Sequence, residues 1–176
     1  ADEETDIQDL GYTADFDGIP SYYDVTNFVA ATVLDSDERF LYVATRPDIF
    51  SGCLSVLRLR PETGELEAVE ILRHGGMDAS GTLLSALTNP YHMVLSPDGR
   101  RLLVGVGGPG GDKLLVFRRN AATGRLTLEG EMAGIVDGGL QTLVLSPSGS
   151  QLYTTRYAKE LMVYGIDWET RELQLI

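Results

Sequence analysis

"VLDSDERFLYV" (33–43), "VLSPDGRRLLV" (94–104) and "VLSPSGSQLYT" (144–154) are one unit written three times: an apolar pair, a four-residue turn and a second apolar run. In the middle copy the turn is Ser96-Pro97-Asp98-Gly99. Proline presets φ at the second position, aspartate bonds back to the backbone, and glycine accepts φ > 0. Every copy then continues into a second strand pair, "LSVLRLRPETGELEAV" (54–69), "LLVFRRNAATGRLTLEG" (114–130) and "LMVYGIDWETRELQLI" (161–176). The Thr-Gly dipeptides of the first two close those hairpins by the same chemistry. Val33 and Val94 are 61 residues apart, and Val94 and Val144 are 50 apart, so the period is near 50 with an insertion in the first copy. "MDASGTLLSAL" (77–87) is the natural insertion, a short helix or a loop.

Four short strands per unit, joined by tight turns at this period, are the pattern of propeller blades, and the expected fold is all-β. Sandwich and solenoid folds are the alternatives; sandwich strands do not usually repeat their turn sequences. The organisation expected is an acidic N-terminal arm or leading strand over 1–28 and a partial propeller over 29–176, with blades at about 29–88, 89–139 and 140–176. Three blades fall short of the four to eight that close a ring. An open arc leaves strand edges and an apolar flank uncovered. The expectations are therefore a part of a larger propeller, two copies completing one ring, or a partner chain over the open face.

Bulk properties bound the function. The net charge is −12, and residues 1–24 hold eight acidic side chains with no lysine or arginine. Such a surface repels phosphate backbones, so nucleic acid is not an expected partner. No run of about 18 apolar residues is present to span a membrane. The chain starts with Ala1 and has no basic start leading into an apolar stretch, which leaves the compartment undetermined. Cys53 is the one cysteine, which excludes an intrachain disulfide and a multi-cysteine metal site; it reads as a small buried residue. No histidine pair is spaced for zinc, and neither metal nor cofactor is expected.

The units "SPDGRRLLV" and "DKLLVFRRNAATGRLTLEG" resemble those of the lactonase-type seven-bladed propellers, the family of 6-phosphogluconolactonase and carboxymuconate cyclase, over about residues 29–176. That resemblance implies a pocket lined by His, Arg and Glu side chains. They come from a Gly-Pro-Arg-His type segment ahead of the turn and from a Ser-Asn-Arg or Tyr-Val-x-Asn-Glu segment after the second strand. "NPYH" meets the first pattern with Asn89, Pro90 and His92, but Tyr91 stands where the family has arginine. The other copies hold Ala30 and Ala31, and Gln141 and Thr142, at the Tyr91 and His92 places. "LYVATR" meets the second pattern through Thr45 and Arg46; Gly107 and Tyr157 are its counterparts, and the family's glutamate is missing from all three copies.

By this resemblance His92 and Arg46 are the candidate catalytic residues, and Tyr91, Tyr157 and Asp112 are candidate substrate contacts. The chemistry fits, since lactone opening needs a base for water and a cation for the anion and the oxyanion. Hydrolysis or ring closure of a small anionic lactone or cyclic acid is the activity implied. The opposing expectation is a non-catalytic interaction platform, favoured by the missing glutamate, the Ala and Tyr replacements and the acidic leader. Arg46 could equally pair with Asp48, and Arg156, one place before the aligned position, should face the other way. "GVGGPG" (105–110) matches a dinucleotide fingerprint in form only, because "DKLLVFRR" after it reads as a strand and not as the required helix. His74 belongs to a connecting loop, and the aromatics of "SYYDV" (21–25) read as packing on the first blade.

Overall fold

The computed structural model describes residues 29–46, 51–107, 111–135, 140–156 and 160–176. They form three sheets of four antiparallel strands and no helix. The first blade is β1 (Val29–Leu34), β2 (Phe40–Thr45), β3 (Cys53–Leu59) and β4 (Leu66–Arg73). The second is β5 (Pro90–Leu95), β6 (Arg101–Val106), β7 (Lys113–Arg119) and β8 (Leu126–Glu131). The third is β9 (Val144–Leu145), β10 (Gln151–Thr155), β11 (Leu161–Asp167) and β12 (Glu172–Leu175). Strand order follows chain order in every sheet, which is the blade topology that the repeat predicts.

At each first turn one repeat position caps the chain reversal. The Asp35 carboxylate accepts from Arg39 N at 2.7 Å and Phe40 N at 2.8 Å, the Ser96 hydroxyl from Arg101 N at 2.9 Å, and the Ser146 hydroxyl from Gln151 N at 3.1 Å. The turn needs a left-handed residue, supplied by Gly99 (φ 66°) and Gly149 (φ 72°). The first blade places Glu38 there at φ 55°. In the second hairpins Gly64 and Gly124 sit at φ 74° and Arg171 at φ 57°. Glu38 and Arg171 thus hold a conformation that costs a residue with a Cβ about 1–2 kcal/mol.

The core lies in the seams between blades. Tyr42, Leu54, Leu102, Leu115, Phe117 and Leu126 fill the seam between the first and second, and Leu103, Leu114, Val116, Leu152 and Tyr164 fill the next. Residues 77–87 form a loop, not a helix: Met77 and Leu83 pair as a β-bridge around a turn that Asp78 ties. Leu84 and Leu87 beyond it are fully buried in the first seam, so the insertion belongs to the core.

Polar ties cross both seams. Arg119, 7 % exposed on β7, pairs with Asp35 of the first blade, donates from Nε to the Tyr42 hydroxyl at 2.5 Å and from Nη1 to Gly99 O at 3.1 Å. Tyr42 donates in turn to Gly124 O at 2.9 Å. On the outer edge of β8, the amides of Leu126 and Leu128 donate to the Glu70 carboxylate at 2.9 Å and the Asp78 carboxylate at 2.7 Å. Across the second seam Ala133 exchanges backbone bonds with blade three, to Arg171 O at 2.9 Å and from Leu173 N at 2.8 Å. Gly134 beside it has φ 85°, and a Cβ there would run into the Leu173 carbonyl.

Candidate functional site

The pairings Val29↔Thr45, Pro90↔Val106 and Leu140↔Arg156 mark the same end of the three blades, where each unit opens and its second strand finishes. His92, Arg46, Tyr91 and Asp112 all lie at this end. Tyr157 lies outside the described residues, as do Asp48, residues 108–110 and "SYYDV". β7 is a strand, so the glycines of 105–110 precede no helix. His74 sits exposed in the loop after β4, its amide on Gly52 O at 2.8 Å.

The innermost strand of the second blade does not run straight into this end. Pro90 faces Val106 and His92 faces Gly105, which leaves Tyr91 as an extra residue, a β-bulge. The first blade repeats it: Val29 faces Thr45 and Ala31 faces Ala44, with Ala30 extra. A bulge of this kind re-aims the side chain it carries and is common beside functional sites. The two positions that the family resemblance singles out are therefore the bulged residue and the one after it.

Tyr91 and His92, both half-buried, meet edge to face with ring centroids 5.5 Å apart and planes at 90°. The Tyr91 ring lies along β6 where that strand has no side chains to oppose it. A Cβ on Gly105 would come within 3.2 Å of the ring and one on Gly107 within 3.3 Å. Leu143 of the third blade borders the same space, 3.5 Å from where a Gly105 Cβ would be. Partial burial disfavours the charged form of His92 and lowers its pKa below the ordinary 6.5. The imidazole is accordingly neutral at pH 7 and able to accept a proton.

Arg46 follows β2 on the first blade and is exposed. Its Nη1 donates to Asn89 Oδ1 at 3.1 Å, which brings the guanidinium to the strand that carries His92. Asp112, just before β7, accepts the amide of Leu140 at 2.9 Å through Oδ2, and its Oδ1 lies 3.4 Å from where a Gly107 Cβ would be. Arg156 pairs with Glu160 at 3.4 Å. The bonds Arg46–Asn89 and Asp112–Leu140 link all three blades at one end. Neither Asn89's hold on Arg46 nor the bulge can be read from residue types; both depend on backbone conformation.

Among the described residues no group of three or more His, Cys, Asp or Glu side chains could hold a metal ion, and Cys53 is buried and free. No helix among the described residues is long and apolar enough to cross a membrane.

Residues 3–137 match the family model of the lactonase seven-bladed β-propellers. The match begins at Glu3 and so takes in nearly all of the acidic segment 1–28. A comparison with the curated proteins finds no match. Among solved structures, a candidate 6-phosphogluconolactonase of Bacteroides fragilis superposes with a TM-score of 0.61 at 20 % identity over 83 % of this chain. A protein of Lactobacillus plantarum gives 0.59 at 23 % over 84 %. The periplasmic gluconolactonase of Pseudomonas aeruginosa gives 0.55 at 22 % over 82 %. At these identities the likeness is one of fold. The chain spans 37, 40 and 41 % of the lengths of those three structures.

Proposed function

The chain belongs to the lactonase family of seven-bladed β-propellers, and on that premise we propose that it supplies one sector of a pocket that opens small anionic lactones. Arg46 binds the substrate's carboxylate or phosphate, and His92 takes the proton from the attacking water. Hydroxide equivalent adds to the lactone carbonyl, the ring C–O bond breaks, and the imidazolium returns the proton to the departing alkoxide. The same pair run in reverse closes a ring. Tyr91 walls the pocket beside the base, and Asp112 and Tyr157 contribute contacts at its rim. Further blades, from the same polypeptide or from a second copy, complete the wall.

One observation carries the reading: an exposed guanidinium is held by a neutral amide against the strand of a half-buried, proton-accepting histidine. A structural arginine would be expected to spend its charge on a carboxylate, as Arg119 does on Asp35. Among the described residues Arg46 meets an amide oxygen and no carboxylate, which leaves its charge for a ligand there.

The test is lactone hydrolysis by the full-length protein, followed by proton release. Arg46→Ala is expected to lower kcat/KM for a phosphorylated lactone by about a hundredfold, the scale of a lost charge-assisted contact. Wild-type rates in that variant, with the fold intact, would sink the assignment.

A further inference from the structure

We infer that Asn89 is the positioning residue for Arg46, a hold that only its left-handed backbone makes possible; this rests on Arg46 being the anion-binding group. Asn89 has φ 39°. The other two left-handed residues with a Cβ among the described residues, Glu38 and Arg171, stand where sister blades have glycine in a hairpin turn. Asn89 stands at no such turn. It precedes Pro90, whose ring disfavours the right-handed helical region for the residue before it. Asparagine is among the few residues that accept the left-handed alternative.

Its backbone is clamped to its own blade. Gly107 N donates to Asn89 O at 3.2 Å, and the neighbouring Thr88 hydroxyl donates to Gly107 O at 3.0 Å. From that anchor the side chain crosses the seam to Arg46. The amide can face only one way, because a guanidinium has donors and no acceptor. Oδ1 must meet Arg46, so Nδ2 turns toward Gly107, where a Cβ would lie 3.4 Å from it. Glycine at 107 leaves that space open.

The consequence for binding is specific. Among the described residues one neutral oxygen engages one of the five guanidinium donors and no carboxylate does, which leaves the charge and the other donors for a bidentate contact with a carboxylate or phosphate. An unheld arginine would lose its rotamer freedom when the ligand arrives. A carboxylate at the same place would hold it equally well and cancel its charge.

The experiment measures binding of 6-phosphogluconate to the full-length protein by calorimetry, alongside kcat and KM for its lactone and for uncharged glucono-δ-lactone. The variants are Asn89→Gly, which keeps the backbone conformation, Asn89→Asp, Arg46→Ala and the double variant Arg46→Ala/Asn89→Gly. Asn89→Gly should raise Kd and KM for the phosphorylated ligands about three- to tenfold, the scale of one hydrogen bond, with kcat changed less than about twofold. Asn89→Asp should fold as well as the parent yet bind more weakly than Asn89→Gly, whereas a purely structural role would let it pass. The double variant should bind no more weakly than Arg46→Ala. Wild-type binding by Asn89→Gly, or effects that multiply in the double variant, would overturn the inference and leave Arg46 as the anion site. Unchanged binding in Arg46→Ala would overturn both.

Discussion

Tyr91 and His92, consecutive residues of one strand, bring their rings into edge-to-face contact at 5.5 Å. In a regular strand consecutive side chains leave by opposite faces. Here the bulge between Pro90 and His92 breaks that alternation and gathers both rings at the mouth of the second blade. The candidate base is thereby partly shielded from water by its own neighbour.

That shielding sets a pH dependence. Desolvation lowers the His92 pKa below 6.5, so the imidazole stays neutral and competent as a base into mildly acidic solution. The acid limb of kcat/KM should therefore fall below pH 6.5, as protonation removes the base. His92→Gln should abolish that limb and lower the plateau about 10²- to 10⁴-fold. A pH profile from 4.5 to 8 (roughly the range in which a histidine titrates) checks both, and an unaltered limb in the variant would remove His92 from the chemistry.

Asp78 should make the fold acid-sensitive. Burial opposes its charge, but the Ser80 hydroxyl and the amides of Thr82, Leu128 and Ser80 more than compensate and hold the carboxyl below the usual carboxylate range. A depressed folded pKa contributes stability that is full above the unfolded value near 3.9 and lost as pH falls through the folded value. Asp78→Asn is expected to cost about 1–3 kcal/mol at pH 7. Denaturant titrations should show the gap between parent and variant closing below about pH 4.

Glu38→Gly should stabilise the protein. Glu38 is exposed at φ 55° where the sister turns carry Gly99 and Gly149. Relief of the left-handed penalty, less the added freedom of glycine in the unfolded chain, leaves a gain of about 0.5–1 kcal/mol. A lower denaturation midpoint than the parent's would contradict this account of the turn.

Gly134→Ala should do the opposite, by about 3 kcal/mol, because both the positive φ and the Leu173 carbonyl exclude a Cβ. Hydrogen exchange should show the loss concentrated at Ala133 and Leu173, whose amides bridge the second seam. Uniform destabilisation without faster exchange there would refute it.

Arg119→Met should cost about 3–5 kcal/mol, since it strands the buried carboxylate of Asp35, which is 4 % exposed. Thermal unfolding of the single variant against Arg119→Met/Asp35→Asn measures it: the second change should restore part of the loss.

The blades are legible in the sequence because turn chemistry is local: Ser96-Pro97-Asp98-Gly99 dictates a reversal whatever surrounds it. Alternation of apolar residues then assigns the strands on either side. Arg46 and His92 are candidates through the family resemblance, and the aligned copies add that each stands at a place where its counterparts differ. The bulge at Tyr91 has no such signature, for an extra residue in a strand shows only in the pairing. The grip of Asn89 on Arg46 joins positions 43 apart through a φ that the side chain permits without announcing. Burial of Leu84 and Leu87 is hidden in the same way, because the loop before them reads as polar.

The carboxylates of Glu70 and Asp78 do more at the rim of β8 than tie two blades. An outermost strand presents a row of unmet amides, the template on which a stray chain adds itself and fibrils begin. Two of those amides, on Leu126 and Leu128, already have their acceptors, and the plug is negatively charged. The first blade thus defends the open edge of the second against its own kind, and acid strong enough to protonate Asp78 would weaken that guard against aggregation.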